Sequence, residues 1–151
     1  MWGFDVRAVS VLILMLAAGQ GLAESPLADG LPGSLPGSLP GGPPLDAEAF
    51  DRLTLGKRMD TYDPQTLYGV EEFLPGRRTI WRDADGCRTA SWEQVGDQIC
   101  FTYENRPTDP DCWIYNIHEG ELWGWFQGQP GGFSVRLVPG TSPMNCDFLG
   151  V

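Results

Sequence analysis

Between Lys57 and Val138 the chain never runs far without a turn signal, and that punctuation limits what it can build. Pro75-Gly76, Asp85-Gly86, Gly96-Asp97, the stretch from Pro107 to Asp111, Glu119-Gly120 and Pro130-Gly131-Gly132 all favour tight turns or loops. They recur about every ten residues, which leaves no room for a crossover helix. The segments between them predict strands at Lys57 to Tyr62, Tyr68 to Leu74, Arg78 to Arg82, Arg88 to Gln94, Gln98 to Glu104, Cys112 to His118, Glu121 to Gln127 and Phe133 to Val138. Short links join antiparallel neighbours, so the expected topology is an up-and-down meander. The expected fold class is therefore mainly β, with about eight strands in a small closed or partly open barrel that leaves few exposed edges. A two-sheet sandwich is the alternative. Alternation is poorest in the first three strands.

One short helix is expected before the strands. Asp46 is an N-cap candidate, Ala49, Phe50 and Leu53 share a face, and Gly56 stands just past the end. A helix this short needs a surface to pack on.

The four cysteines, Cys87, Cys100, Cys112 and Cys146, are even in number, and none forms a CxxC pair. With His118 as the sole histidine, a structural zinc site lacks its ligand spacing, so no metal and no cofactor is expected. Two disulfides are the natural reading in an oxidising compartment. Parity suggests which. Ile99, Phe101 and Tyr103 share one face with Cys100 on the other, while Trp113, Tyr115 and Ile117 share a face with Cys112 on the other. Folding the chain at Asn105 to Thr108 sets Cys100 opposite Cys112 and Ile99 opposite Trp113, and a slip by one residue would invert the faces. Cys100–Cys112 is the preferred pair of the three connectivities possible, leaving Cys87–Cys146 to tie down the C-terminal tail.

The N-terminus agrees with oxidation. Arg7 precedes the apolar run from Ala8 to Gly19, and Gly21-Leu22-Ala23 offers small residues where a signal peptidase reads. Residues 1–23 are thus expected to be a cleaved signal peptide, the run being shorter than the roughly 20 residues a membrane span needs. Residues 24–44 repeat Leu-Pro-Gly-Ser at Leu31 and Leu35 and suit a disordered Pro/Gly-rich linker. They lack the basic flanks of a PxxP ligand. Residues 45–151 form the disulfide-stabilised β domain, and the product is expected to be secreted or periplasmic with no stable membrane insertion. Arg7 and Asp5 cancel in the leader, so the formal charge of −10 belongs to the remainder. Such a chain is repelled by phosphate backbones and does not suit nucleic acid.

Trp123-Gly124-Trp125-Phe126 carries the strongest binding signal. Trp123 and Trp125 point one way while Leu122 and Phe126 point the other, so the strand is apolar on both faces. Trp123, Trp125 and Phe126 are the candidate binding residues, against a plainer alternative in which they serve the core and are covered by the helix or a tail. Gly124 suggests a close approach or a bend. Other motifs point to less. Asp83-Ala84-Asp85-Gly86 opens like a calcium loop but lacks the later ligands, and a hairpin turn is the better reading. Glu71 and Glu72 are neighbours on a strand and face opposite ways, so they cannot act on one bond as acid and base. His118 has no Ser or Cys partner in a recognisable motif, and no catalytic residue is assigned.

The run Tyr68-Gly69-Val70-Glu71, then Ile80-Trp81, Gly86-Cys87, Trp92, Ile99-Cys100-Phe101-Thr102-Tyr103 and Cys112-Trp113, resembles an uncharacterised family of small secreted bacterial proteins. That resemblance implies an exported compartment and a β domain only, since the family has no assigned activity. The architecture is also loosely similar to eight-stranded periplasmic inhibitors of lysozyme or proteases, and to lipocalins. The expected function is non-enzymatic binding, either of a basic protein such as a hydrolase to be inhibited, or of a small apolar ligand in a lipocalin-like lumen.

Overall fold

The structure, a computed structural model, describes residues 38–146. The expected signal peptide and most of the expected linker lie outside the described residues. One helix, α1 (Ala47–Thr54), precedes eight strands: β1 (Arg58–Asp63), β2 (Thr66–Leu74), β3 (Arg78–Asp83), β4 (Gly86–Val95), β5 (Gln98–Tyr103), β6 (Asp111–His118), β7 (Glu121–Phe126) and β8 (Ser134–Pro139). Each strand pairs antiparallel with the next, and β8 returns to β1 from Met59↔Pro139 to Tyr62↔Arg136. The sheet closes into a barrel, and the sandwich alternative falls away. The three strands with the poorest alternation are present, because the ladder to their neighbours supplies what their pattern lacks.

Registers give every strand an inward and an outward row. Glu71↔Trp81↔Arg88, Phe73↔Thr79↔Ala90↔Tyr103 and Trp92↔Phe101↔Asp111 set the inward row of β2 to β6, and Tyr115↔Gly124↔Val135 continues it to β8. The expected pairings Cys100↔Cys112 and Ile99↔Trp113 are present. Both disulfides form as expected, Cys100–Cys112 and Cys87–Cys146, and no described cysteine is free.

The helix closes one end of the barrel. Asp46 caps it, accepting from the Ala49 N–H at 2.7 Å, and Gly56 follows with φ 72°. Phe50 is fully buried, its ring centroid 4.5 Å from Tyr115, 5.2 Å from Trp92 and 5.6 Å from Phe73. The buried stripe nevertheless differs from the expected one. Ala47, Phe50 and Thr54 are inside, whereas Leu53 is 37% exposed. Thr54 can be buried because its hydroxyl donates to the Phe50 carbonyl at 2.9 Å, and the Ala47 N–H reaches the Gln94 side chain at 2.8 Å. These bonds turn the helix about Phe50 and leave Leu53 to solvent.

Beyond β8 the tail lies over the outer face of the barrel. Met144 packs with Val70 and Ile80, and Leu74, Cys87 and Cys146 border this second core. The Gly140 N–H donates to the Arg58 carbonyl at 2.9 Å, and the Ser142 hydroxyl donates to Asp60 at 3.0 Å. The bridge holding this tail closes a sequence separation of 59 residues, against 12 for the cross-strand one. Chain entropy then assigns about 4 kcal/mol to Cys87–Cys146 and about 3 kcal/mol to Cys100–Cys112. Replacing each pair by alanines and measuring urea unfolding should rank them in that order. The reverse order would mean that the tail contributes little to the fold.

Part of the expected linker is fixed as well. The β5–β6 ladder ends at Ile99↔Trp113, which leaves the next residues of β6 unpaired on that side. The segment leading into α1 takes the place, with the Leu45 N–H on the Tyr115 carbonyl at 2.8 Å and the Gly42 N–H on the Ile117 carbonyl at 3.0 Å. Open backbone groups on β6 are thereby satisfied.

Candidate functional site

Where the helix closes one end, the other keeps a cavity of about 250 Å³ inside the barrel. The strand directions put the β1–β2 and β3–β4 turns, residues 104–110 and residues 127–133 around that open end. The cavity walls are aromatic, from Trp81, Phe101, Tyr103, Trp113 and Tyr115, with Tyr68 nearer the rim. Glycine makes room for two of them. A Cβ at Gly69 would overlap the Trp81 ring, and one at Gly124 would come within 2.7 Å of Tyr115. The close approach expected at Gly124 is thus made by a side chain. Tyr68 and Phe133 arch over the mouth, their ring centroids 5.5 Å apart, with Tyr68 5.5 Å from Trp81 and Phe133 5.8 Å from Trp113.

Charged residues ring the mouth in pairs. Asp83 accepts from Trp81 Nε1 at 2.9 Å and from the Arg88 guanidinium, and its other oxygen takes the Asp85 N–H at 2.9 Å. The turn once compared with a calcium loop is therefore an Asx turn anchoring Arg88. Arg106 donates to Asp111 at 2.6 Å and lies over the Tyr103 ring at 5.6 Å. Asp111 raises its pKa, first by hydrogen bonding and then by charge.

Deeper in the lumen stands Glu71, 4% exposed, on the inward row between Gly69 and Phe73. One of its oxygens accepts from the Thr79 hydroxyl at 2.9 Å. Burial pushes its carboxyl up to about 8, with the Thr79 bond opposing in part. Tyr103 and Tyr115 are also pushed upward, mainly by burial and secondarily by the nearby Glu71 charge. The second Glu71 oxygen and the two phenol oxygens make no hydrogen bond to the described residues. Thr61, which lines the same cavity, has a buried hydroxyl without a partner among the described residues. Polar groups that converge on a cavity and stay unsatisfied by the fold are available to a ligand.

Of the three candidate binding residues, Trp123 and Trp125 lie together on the outer face and Phe126 lies on the opposite one, as their alternation predicts. Trp125 is buried on the outer face of the barrel, its indole N–H donating to Asn116 at 3.0 Å. Trp123 stacks on it at 5.7 Å, and the His118 ring stands edge-on to both. Asn116 in turn donates to the Pro40 and Gly42 carbonyls at 2.8 and 3.2 Å. The outward tryptophans therefore adjoin the segment before the helix. Phe126 is on the inward row, its ring 5.0 Å from Trp113 near the mouth. Glu71 and Glu72 do face opposite ways, Glu72 pairing with Arg58 at 3.4 Å outside.

Sequence reasoning missed the lumen residues Glu71, Trp81, Arg88, Tyr103, Asp111 and Tyr115. A signal existed. Glu71, Arg88 and Asp111 have the parity of the core residues Phe73, Trp92 and Trp113 on their own strands. A charge on the core row marks a lumen that is not filled by the fold. Among the described residues no cluster of potential metal ligands occurs, and no helix is long and apolar enough to cross a membrane. The two disulfides suit an oxidising environment. Compared with known protein families, characterised proteins and solved structures, the chain matches none.

Proposed function

We propose that this chain is an exported, non-enzymatic binding protein that holds one small amphipathic molecule in its barrel lumen. The cavity carries the reading. An eight-stranded barrel is just wide enough either to be filled by its own side chains or to hold one small ligand. Here about 250 Å³ remains, space for about eight waters at roughly 30 Å³ each. A ligand of about that many non-hydrogen atoms fits. Aromatic walls favour a flat or apolar body, while Glu71, Tyr103, Tyr115 and Thr61 favour a polar head. This differs from the apolar ligand expected from the tryptophan-rich strand, because the inward rows carry charged residues at the cavity. Export to the periplasm or cell exterior is supported by the leader layout and the two disulfides.

Native mass spectrometry of protein purified gently from its host is expected to show a bound small molecule. Val135 lines the cavity and is buried, so Val135→Phe should fill the space at a cost of about 1–3 kcal/mol and abolish the adduct. A bare mass for the unaltered protein, with no thermal shift from a library of small amphiphiles, would remove the reading.

A second reading keeps the barrel as a scaffold for a basic protein partner, among them a hydrolase that it inhibits. Its support is the −10 charge together with Asp63, Asp83, Asp85, Glu104 and Asp109 at one end of the barrel. Salt-sensitive binding to lysozyme or to secreted proteases, with loss of their activity, would favour it. An inert panel would count against it.

A further inference from the structure

We infer that the lumen ligand is a small organic cation, an amine or quaternary ammonium on a short aromatic or apolar body. This rests on the lumen-binding reading and adds the charge of the ligand.

Three observations carry it. The first is the charge balance of the lining, where Asp83, Asp85 and Asp111 face only two guanidiniums, Arg88 and Arg106, and the Glu71 carboxyl can release a proton to add a fourth negative charge. Both guanidiniums are already engaged, Arg88 by Asp83 and Arg106 by Asp111 at 2.6 Å. An anionic ligand would have to break these pairs, whereas a cation meets the surplus carboxyls. The second is the walls. Aromatic faces attract cations through the ring quadrupole, more strongly when water is excluded. One lining ring does so within the fold, since the Arg106 guanidinium lies 5.6 Å from the Tyr103 centroid. The third is Glu71, a carboxyl almost without solvent contact, with one oxygen on Thr79 and the other unpartnered among the described residues.

The titrating groups around Glu71 make the consequence definite. Tyr103 from β5 and Tyr115 from β6 are both pushed up, and Asp111 adds negative charge from β6. Arg88 from β4 and Arg106 lower Tyr103 in part, and Thr79 from β3 donates a hydrogen bond. Glu71, with its carboxyl near 8, therefore holds its proton at neutral pH in the empty protein. A cation beside the free oxygen favours the carboxylate, and the displaced proton leaves to solvent.

Three probes of matched size separate the possibilities: 2-phenylethylamine, 2-phenylethanol and phenylacetate. In titration calorimetry at pH 7, the amine is expected to bind about tenfold more tightly than the alcohol, with phenylacetate weakest. Comparison of buffers with different protonation heats should show most of one proton released per amine bound and none for the alcohol. Glu71→Gln should abolish the release and remove the advantage of the amine over the alcohol measured on the same variant. Equal or tighter binding of the alcohol or the acid overturns the cation assignment, as does an amine advantage that survives Glu71→Gln. If either of those two probes binds and Val135→Phe blocks it, the lumen reading stands while the cation falls. Failure of all three to bind overturns the cation assignment, and the library screen then judges the lumen by itself.

Discussion

Glu71→Gln is expected to raise the free energy of unfolding by about 4 kcal/mol at pH 8 while leaving it nearly unchanged at pH 4. The cause is a buried acid whose carboxyl titrates near 8 in the fold and near 4.5 when exposed. Between those values the native state holds a proton that the unfolded chain has released. Stability is therefore full below about 4.5 and declines as pH rises toward 8, the reverse of a salt-bridged carboxylate. Glutamine has the shape of the protonated acid and keeps an oxygen to accept from Thr79, so it escapes the loss. The wild-type curve alone would not isolate this effect, because it sums the titrations of all the ionisable groups. The difference between variant and wild type isolates it. Urea unfolding across this pH range should give a gap that opens with a midpoint set by the two titrations. A gap of the same size at every pH would mean that Glu71 is solvated in the fold, and the floor of the lumen would need another description.

The way this fold is written in the chain explains what could be read from it. Turn residues act locally, so Asp85-Gly86 and Glu119-Gly120 marked hairpins without reference to any partner strand. Parity is also local, and one register satisfied both Cys100–Cys112 and the Ile99 face. The helix face was harder. Ala49, Phe50 and Leu53 form the more apolar stripe, yet the stripe chosen is set by the Thr54 hydroxyl bond and by the fit of Phe50 among rings from four strands. Hydrophobicity ranks faces, but packing geometry selects among them. The cover over the outer tryptophans is long-range in the same way. Trp125 is covered because Asn116 bonds the segment before the helix, a contact across 76 residues of sequence between Asn116 and Pro40. The lumen was half legible. Glu71 and Glu72 face opposite ways, and of the two Glu71 alone has the parity of the core.

That Phe50 anchors the helix leads to the other large expected effect. Phe50→Ala should cost about 4 kcal/mol of stability, while Leu53→Ala on the exposed side of the same helix should change it by less than about 0.5 kcal/mol. Phe50 is completely enclosed, with rings of Phe73, Trp92, Phe101 and Tyr115 about it. Its removal takes away the transfer energy of a phenyl group and leaves a void beneath the lumen floor, which the ladders on all sides prevent from collapsing. For a domain of this size the melting temperature should fall by about 15 °C or more. The void would also join the cavity above it at Tyr115, whose ring is shared by both. Phe50→Ala should consequently loosen the grip on any lumen ligand, although Phe50 does not line the cavity. Thermal and urea unfolding of both variants, with the ligand titration repeated on Phe50→Ala at low temperature, tests both parts. Equal losses for Phe50→Ala and Leu53→Ala would show that the helix packs through its more apolar stripe after all. The closed end of the barrel would then rest on the helix as a whole, with no single ring as its plug.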